Sequence, residues 1–186
     1  MSCLVRNSPH SNLALSPMNA SDRLSRRALF GMVSGRKRGR EAAGGVSGLD
    51  PLAVRADRLF SLGQYLEAEA LYAELIEREP GHQAALHRRG LCLMRLDRHS
   101  AARAAWDQLL TLNPDDPAAL LHQGLSYAIE GSVDEAVTVW RRYRNYHRIE
   151  LQRELNLILA LADDGRLPAA EELVERVEAA LSGDSG

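Results

Sequence analysis

Lysine is almost missing from this chain. Lys37 is the only one among 23 basic side chains, so arginine carries the positive charge, a composition expected of a bacterial source. Only two cysteines occur, Cys3 and Cys92, and they form no CxxC pair. A disulfide framework and a cysteine-based metal centre are thereby excluded, which fits a reducing compartment. Cys92 falls inside an apolar helical pattern, where a buried, inert thiol is expected. No stretch approaches the roughly 18 consecutive apolar residues of a spanning helix, so no membrane span is expected and the reading is cytoplasmic. Serine elbows, Gly-rich phosphate loops and paired-carboxylate signatures are also lacking, so neither an enzyme nor a cofactor is expected.

What is present is unevenly charged. Residues 1–48 hold eight basic side chains against Asp22 and Glu41, a balance of +6, whereas residues 49–186 hold 15 basic and 23 acidic groups, a balance of −8. A basic arm on an acidic body suggests that the two touch, or that the arm visits an anionic partner.

The body repeats itself at a fixed interval. Segments 49–82, 83–116, 117–150 and 151–184 come into register, the last as a degenerate cap. One column holds Gly63, Asp97, Gly131 and Gly165, where a helix must stop in a conformation that favours positive φ. The next holds Ala68, Ala102, Ala136 and Ala170, small because paired helices approach there. One turn further on are Tyr72, Trp106, Trp140 and Val174, which fill the adjoining gap. Pro80 and Pro114 close the second helix of their units. The first helices open on Asp50-Pro51 and Asp116-Pro117, each an N-cap followed by proline at the first helical position. Gly90 and Gly124, one repeat apart, lie within helices and require the close approach of a neighbouring backbone. The third unit has Arg148 where proline is expected, so its second helix should run on, bend, or meet the fourth unit at an unusual angle. The result is an all-α chain: four antiparallel helix pairs after a largely disordered basic arm and Gly-rich linker, residues 1–48.

The pattern resembles the tetratricopeptide repeat, carried by "RGLCL…AARAAW…NP" and "GLSY…EAVTVW". The leading Trp-x2-Leu of that family is replaced by Leu86-x2-Arg89 and Leu120-x2-Gln123. The resemblance implies an α-solenoid that binds a peptide or an amphipathic helix of a protein partner in a concave groove lined by first helices. Carried onto this chain, the groove comprises Asp57, Phe60, His87, Arg88, Leu91, Met94, Leu121, His122, Leu125, Ile129, Leu155 and Leu159. The error of one position inherent in a face read from spacing would move several of these into the inter-repeat core. A subclass of the family grips a C-terminal carboxylate, but the matching positions here are Ala53, Asp57, Arg88, Ala118 and His122. Only two of these suit an anion and Asp57 repels one, so that reading fails.

His87 and His122 fall on adjacent first helices and face one another across the groove, yet two histidines without a third ligand make no metal site. In "WRRYRNYHRIELQR", arginines alternate with aromatics, as in single-strand nucleic-acid binders. Helical spacing puts Trp140, Tyr143 and His147 on one face and Arg141, Arg144 and Arg148 on the other. A packed face and a solvated face account for this, and no nucleic acid is expected.

The arm carries "SRRALFG", which resembles the twin-arginine export motif. Its apolar part ends at "RKRGR" before it is long enough to be a signal, so a docking role for Arg26, Arg27, Leu29 and Phe30 is expected instead, on a partner or on the chain's own groove. An adaptor or scaffold is the function this suggests. The alternative is an assembly or maturation helper for an exported redox enzyme, with the arm as its docking peptide, and a nucleic-acid binder is the third; for the arm itself the other reading is a leader without function, with Met18 as the true start.

Overall fold

The computed structural model describes residues 50–183, and the expected arm and its docking residues lie outside them. The described residues form eight helices: α1 Pro51–Ser61, α2 Tyr65–Arg78, α3 Gln83–Arg95, α4 His99–Leu112, α5 Pro117–Ile129, α6 Val133–Trp140, α7 Ile149–Asp163 and α8 Ala170–Gly183. They pack as four antiparallel pairs, each stacked on the next.

Local chemistry sets the ends. The Asp50 carboxylate accepts the Leu52 N–H at 2.7 Å, and Asp116 accepts that of Ala119 at 2.8 Å, each with proline at the start of the helix. The α3 cap is His82, whose Nδ1 accepts from the Ala85 N–H at 3.1 Å. Within each pair the turn is the same device used four times. Gly63, Asp97, Gly131 and Gly165 have φ of 77°, 58°, 81° and 65°. The next N–H then reaches back into the preceding helix, from Gln64, Arg98, Ser132 and Arg166 to the carbonyls of Leu59, Leu93, Tyr127 and Leu161, at 2.8–3.0 Å. Asp97 bears the steric cost of left-handed backbone that glycine avoids elsewhere in the column. Pro80 and Pro114 act through their neighbours: Glu79 and Asn113 are extended, and α2 and α4 stop just before them.

Ala68, Ala102 and Ala136 are fully buried between paired helices, and Tyr72, Trp106 and Trp140 are buried beside them. The close approach at Gly90 and Gly124 is made by a side chain and not, as expected, by backbone. A methyl at Gly90 would lie 2.4 Å from Nε1 of Trp106, and one at Gly124 would lie 2.3 Å from Nε1 of Trp140. The same column pairs Ala56 with Tyr72 in the first unit and Ile158 with Val174 in the last, all buried. Size balances as a sum: the larger the second-helix residue, the smaller its first-helix counterpart.

Two expectations need correction. Ala170 is only partly buried and begins α8, where its counterparts stand a turn into theirs. Pro168 forces Leu167 out of helical backbone, so the first turn of that helix is missing, and Leu173 and Val177 bury instead. The second correction concerns 141–148. The helix neither runs on nor bends: α6 ends at Trp140 and is little more than half the length of α2 and α4. Trp140 and Tyr143 are buried, but His147 is exposed with Arg141, Arg144 and Arg148, because the segment is irregular and helical spacing no longer assigns its faces. Since α6 is short, α7 meets it only slightly, and α8 packs on α5. The fourth pair is therefore seated differently from the first three.

Candidate functional site

The first-helix face is centred on a stack of rings. The edge of His87 meets His122 at 5.3 Å between centroids, and His122 lies nearly parallel to Trp106 at 5.8 Å. The His122 Nδ1 donates to the Ala118 carbonyl at 2.7 Å, which fixes the tautomer and leaves Nε2 as an acceptor. The His87 Nδ1 is buried without a hydrogen-bond partner. Burial, helped by the neighbouring ring and Arg88, lowers the His87 pKa to about 3. Burial also lowers that of His122, with Arg148 and Arg95 adding to it against the opposing effect of the Ala118 bond. Both rings are thus neutral at pH 7. No group of three or more His, Cys, Asp and Glu suited to a metal occurs among the described residues.

Arginines surround this floor. The Arg88 guanidinium lies over the Phe60 ring at 5.1 Å and 3.9 Å from the Asp57 carboxylate, whose same oxygen accepts the Tyr72 hydroxyl at 2.5 Å. Burial first, and then that bond, raise the Tyr72 pKa, so the phenol remains a donor and takes up part of the Asp57 charge. Arg95 lies over the Tyr65 ring at 5.3 Å. Arg148 arrives from the α6–α7 connection, close enough for its charge to act on His122. A guanidinium over a ring covers its carbon face and directs its N–H groups outward along the edge.

The expected groove is divided by the structure. Asp57 and Arg88 are exposed, and Phe60, His87, His122, Ile129 and Leu159 are partly exposed. Leu91, Met94, Leu121, Leu125 and Leu155 are core residues, packed between helix pairs and closed to any partner. One position of error rotates a helix by about 100°, enough to turn a groove residue inward. The surface is consequently smaller and more polar than the spacing implied. Arg95 was legible and missed, since it stands in the column of Ile129, one repeat earlier. Arg148 was not legible, because its placement depends on the early end of α6.

Cys92 is free and buried, with its thiol pushed up to about 12 by burial and then by Glu69. It is held as an uncharged thiol. No described helix is long and apolar enough to cross a membrane.

Comparison with known proteins agrees with the architecture. Residues 59–123 match the sequence model of the tetratricopeptide repeat family. Two curated relatives match over parts of their length. The tetratricopeptide repeat and J domain-containing co-chaperone DNJ1 of Cryptococcus neoformans is 28% identical over 108 residues, 58% of this chain and 21% of that protein. The probable UDP-N-acetylglucosamine–peptide N-acetylglucosaminyltransferase SPINDLY of Petunia hybrida is 26% identical over 87 residues, 47% of this chain and 9% of that protein. The matched region thus spans about a fifth or less of either relative. Among solved structures, MamA is similar in fold, with a TM-score of 0.55 and 16% identity over 72% of this chain and 78% of that one. The fixed repeat interval, the four left-handed turns, the alanine and aromatic columns and the match over residues 59–123 converge: the described residues have the fold of stacked tetratricopeptide repeats.

Proposed function

We propose that the protein is a non-catalytic scaffold that holds a peptide or helix of a protein partner on its first-helix face. The partner segment carries an acidic group that meets Arg88, Arg95 and Arg148, and an apolar side chain that rests on Phe60 and the His87–His122 rings. One observation supports the reading: the Arg88 and Arg95 guanidiniums lie over the Phe60 and Tyr65 rings on the first-helix face that carries the uncharged His87–His122 floor, and the carboxylate beside Arg88 is already shared with Tyr72. Charged rim and neutral floor give orientation and contact area respectively.

Selection of short peptides from a random library against the full chain tests this. Enriched sequences are expected to combine Asp or Glu with an aliphatic or aromatic residue. Arg88→Gln and Arg148→Gln should each weaken the selected peptides ~3–10-fold, as befits partly solvated charge pairs, with the melting temperature unchanged. Enrichment of basic peptides, or binding indifferent to both variants, overturns the reading.

A further inference from the structure

Seven large apolar side chains are exposed among the described residues, and six of them lie at the two ends of the array. Val54, Leu62 and Leu66 belong to the first pair. Tyr146, Ile149 and Leu157 belong to the fourth pair and the connection leading into it, and Tyr146 is 80% exposed. Ile149, Arg153 and Leu157 recur at every fourth position along α7 and are all exposed, so they form one solvent-facing stripe.

The charge beside the two patches differs in sign. Residues 50–79 hold seven acidic and three basic side chains, a balance of −4, while the connection and first turn of α7, residues 141–153, hold five basic and one acidic, a balance of +4; the remainder of the fourth pair, residues 154–183, holds two basic and seven acidic. Internal pairing does not cancel this. Arg78 is paired with Glu74 and Glu69 with Arg89, which leaves Glu67, Glu77 and Glu79 exposed without an ion pair to another described residue. At the far end Arg141 is paired with Asp163 and Arg153 with Glu150. Arg142 and Arg144 donate to backbone carbonyls and keep their full charge, and Arg148 is exposed.

We infer that the first pair of one copy docks on the α6–α7 connection and the exposed stripe of α7 that follows it in a second copy, so that the chain self-associates head to tail. Leu62 and Leu66 supply apolar contact on one side and Tyr146, Ile149 and Leu157 on the other, within fields of opposite sign. The two patches are different surfaces, so the contact is heterologous: each copy keeps one open end of each kind, and growth continues unless the rotation closes a ring. The patches are small beside the ~1,200–2,000 Å² of a stable interface, so association is weak and concentration-dependent. This inference is independent of the groove reading, since it uses none of the rings at the floor of that site.

Sedimentation velocity of the full chain tests it, from about 10 µM to about 1 mM in about 50 mM salt, alongside Leu66→Arg and Ile149→Glu. The wild type should grow in average mass with concentration past the dimer, or settle at a closed ring. Raising salt to about 500 mM should weaken association at least tenfold as the Debye length shortens. Each variant alone should remain monomeric. An equimolar mixture should form a dimer and nothing larger, because each variant retains the end that the other has lost. Both positions are exposed, and far-UV circular dichroism checks folding; if either variant unfolds, Leu62→Ser and Tyr146→Ser replace them with the same expectations. A wild type monomeric at every concentration overturns the inference. So does a mixture that stays monomeric, or association that neither variant reduces.

Discussion

Gly124→Ala isolates the packing rule that holds the array together. In an unencumbered helix the change stabilises by about 1 kcal/mol, because alanine loses less backbone freedom on folding. Here the new methyl carbon would stand 2.3 Å from Nε1 of Trp140 and 2.6 Å from Cδ1 and Cε2, so the indole must withdraw by roughly 1 Å to restore ordinary contact. Trp140 is fully buried, and its Nε1 donates to the Leu121 carbonyl at 3.2 Å, a bond the withdrawal breaks. Overpacking costs about 1–3 kcal/mol and the lost bond about 1 kcal/mol, against the helix gain of about 1 kcal/mol. The net expectation is a destabilisation of about 1–3 kcal/mol, or roughly 3–12 °C in melting temperature. Calorimetry or urea melts of the single variant measure it. A double-mutant cycle then assigns the cause: in a Trp140→Phe background, where the five-membered ring is gone, Gly124→Ala should lose most of its penalty, a coupling of at least about 1 kcal/mol. Gly81, with nothing within 4 Å of its added methyl, is the control and should tolerate alanine. A rise in melting temperature for Gly124→Ala, or strict additivity with Trp140→Phe, would refute the reasoning.

Further outcomes follow from the same contacts. Ala102→Arg and Ala136→Trp should each unfold the array cooperatively, since both sites are fully buried between helices; unchanged melting would mean that the helices part easily there. The His87 pKa is about 3 in the folded chain and near 6.5 unfolded, so the unfolded chain binds the extra proton. Stability from this group is complete above about pH 6.5 and falls by up to ~1.4 kcal/mol per unit as pH drops toward 3; His87→Gln should flatten that slope in urea melts at pH 7.5, 6 and 5. Glu178 acts in the opposite sense, because burial and then Glu175 raise its pKa to about 7, so its contribution is lost as pH rises from about 4.5 through 7. Glu178→Gln should therefore stabilise by about 1–2 kcal/mol at pH 8 and change little at pH 4.5, and the two single variants separate slopes that partly cancel in the wild type.

The repeat was legible because each of its columns answers to one local demand. Left-handed turns need glycine, and Asp97 is readable as the exception only because the other three members of its column are glycine. Capping aspartates announced themselves beside proline. The groove was less legible, because a surface depends on rotation about the helix axis, and one position of error exchanged Leu91, Leu121 and Leu125 between surface and core. What spacing could not supply was the join between the third and fourth units. Nothing local in "WRRYRNYHRI" announces that α6 stops at Trp140, since arginine and tyrosine are tolerated in helices. The stop is a tertiary outcome: the Tyr143 ring is buried, the Arg142 guanidinium reaches the Pro114 carbonyl, and the Gln152 side chain caps the Asn145 N–H at 2.8 Å.

That join links the two proposals. Where α2 and α4 end at proline, the next pair follows in register and its first helix packs on the preceding unit. Arg148 replaces the proline, and the chain instead runs through an irregular connection that brings Arg148 to the His122 side of the face and leaves Tyr146 and Ile149 uncovered. One departure from the repeat thus supplies a cation to the groove and the apolar part of the far end. The two roles are separable, because Arg148 acts on the groove while Ile149 and Leu157 lie along the uncovered side of α7. Arg148→Gln should weaken peptide binding without abolishing self-association, and Ile149→Glu should do the reverse. If both variants moved both measurements equally, the connection would be a single hinge whose loss disturbs the whole fourth pair, and neither surface could be assigned to its own side chains.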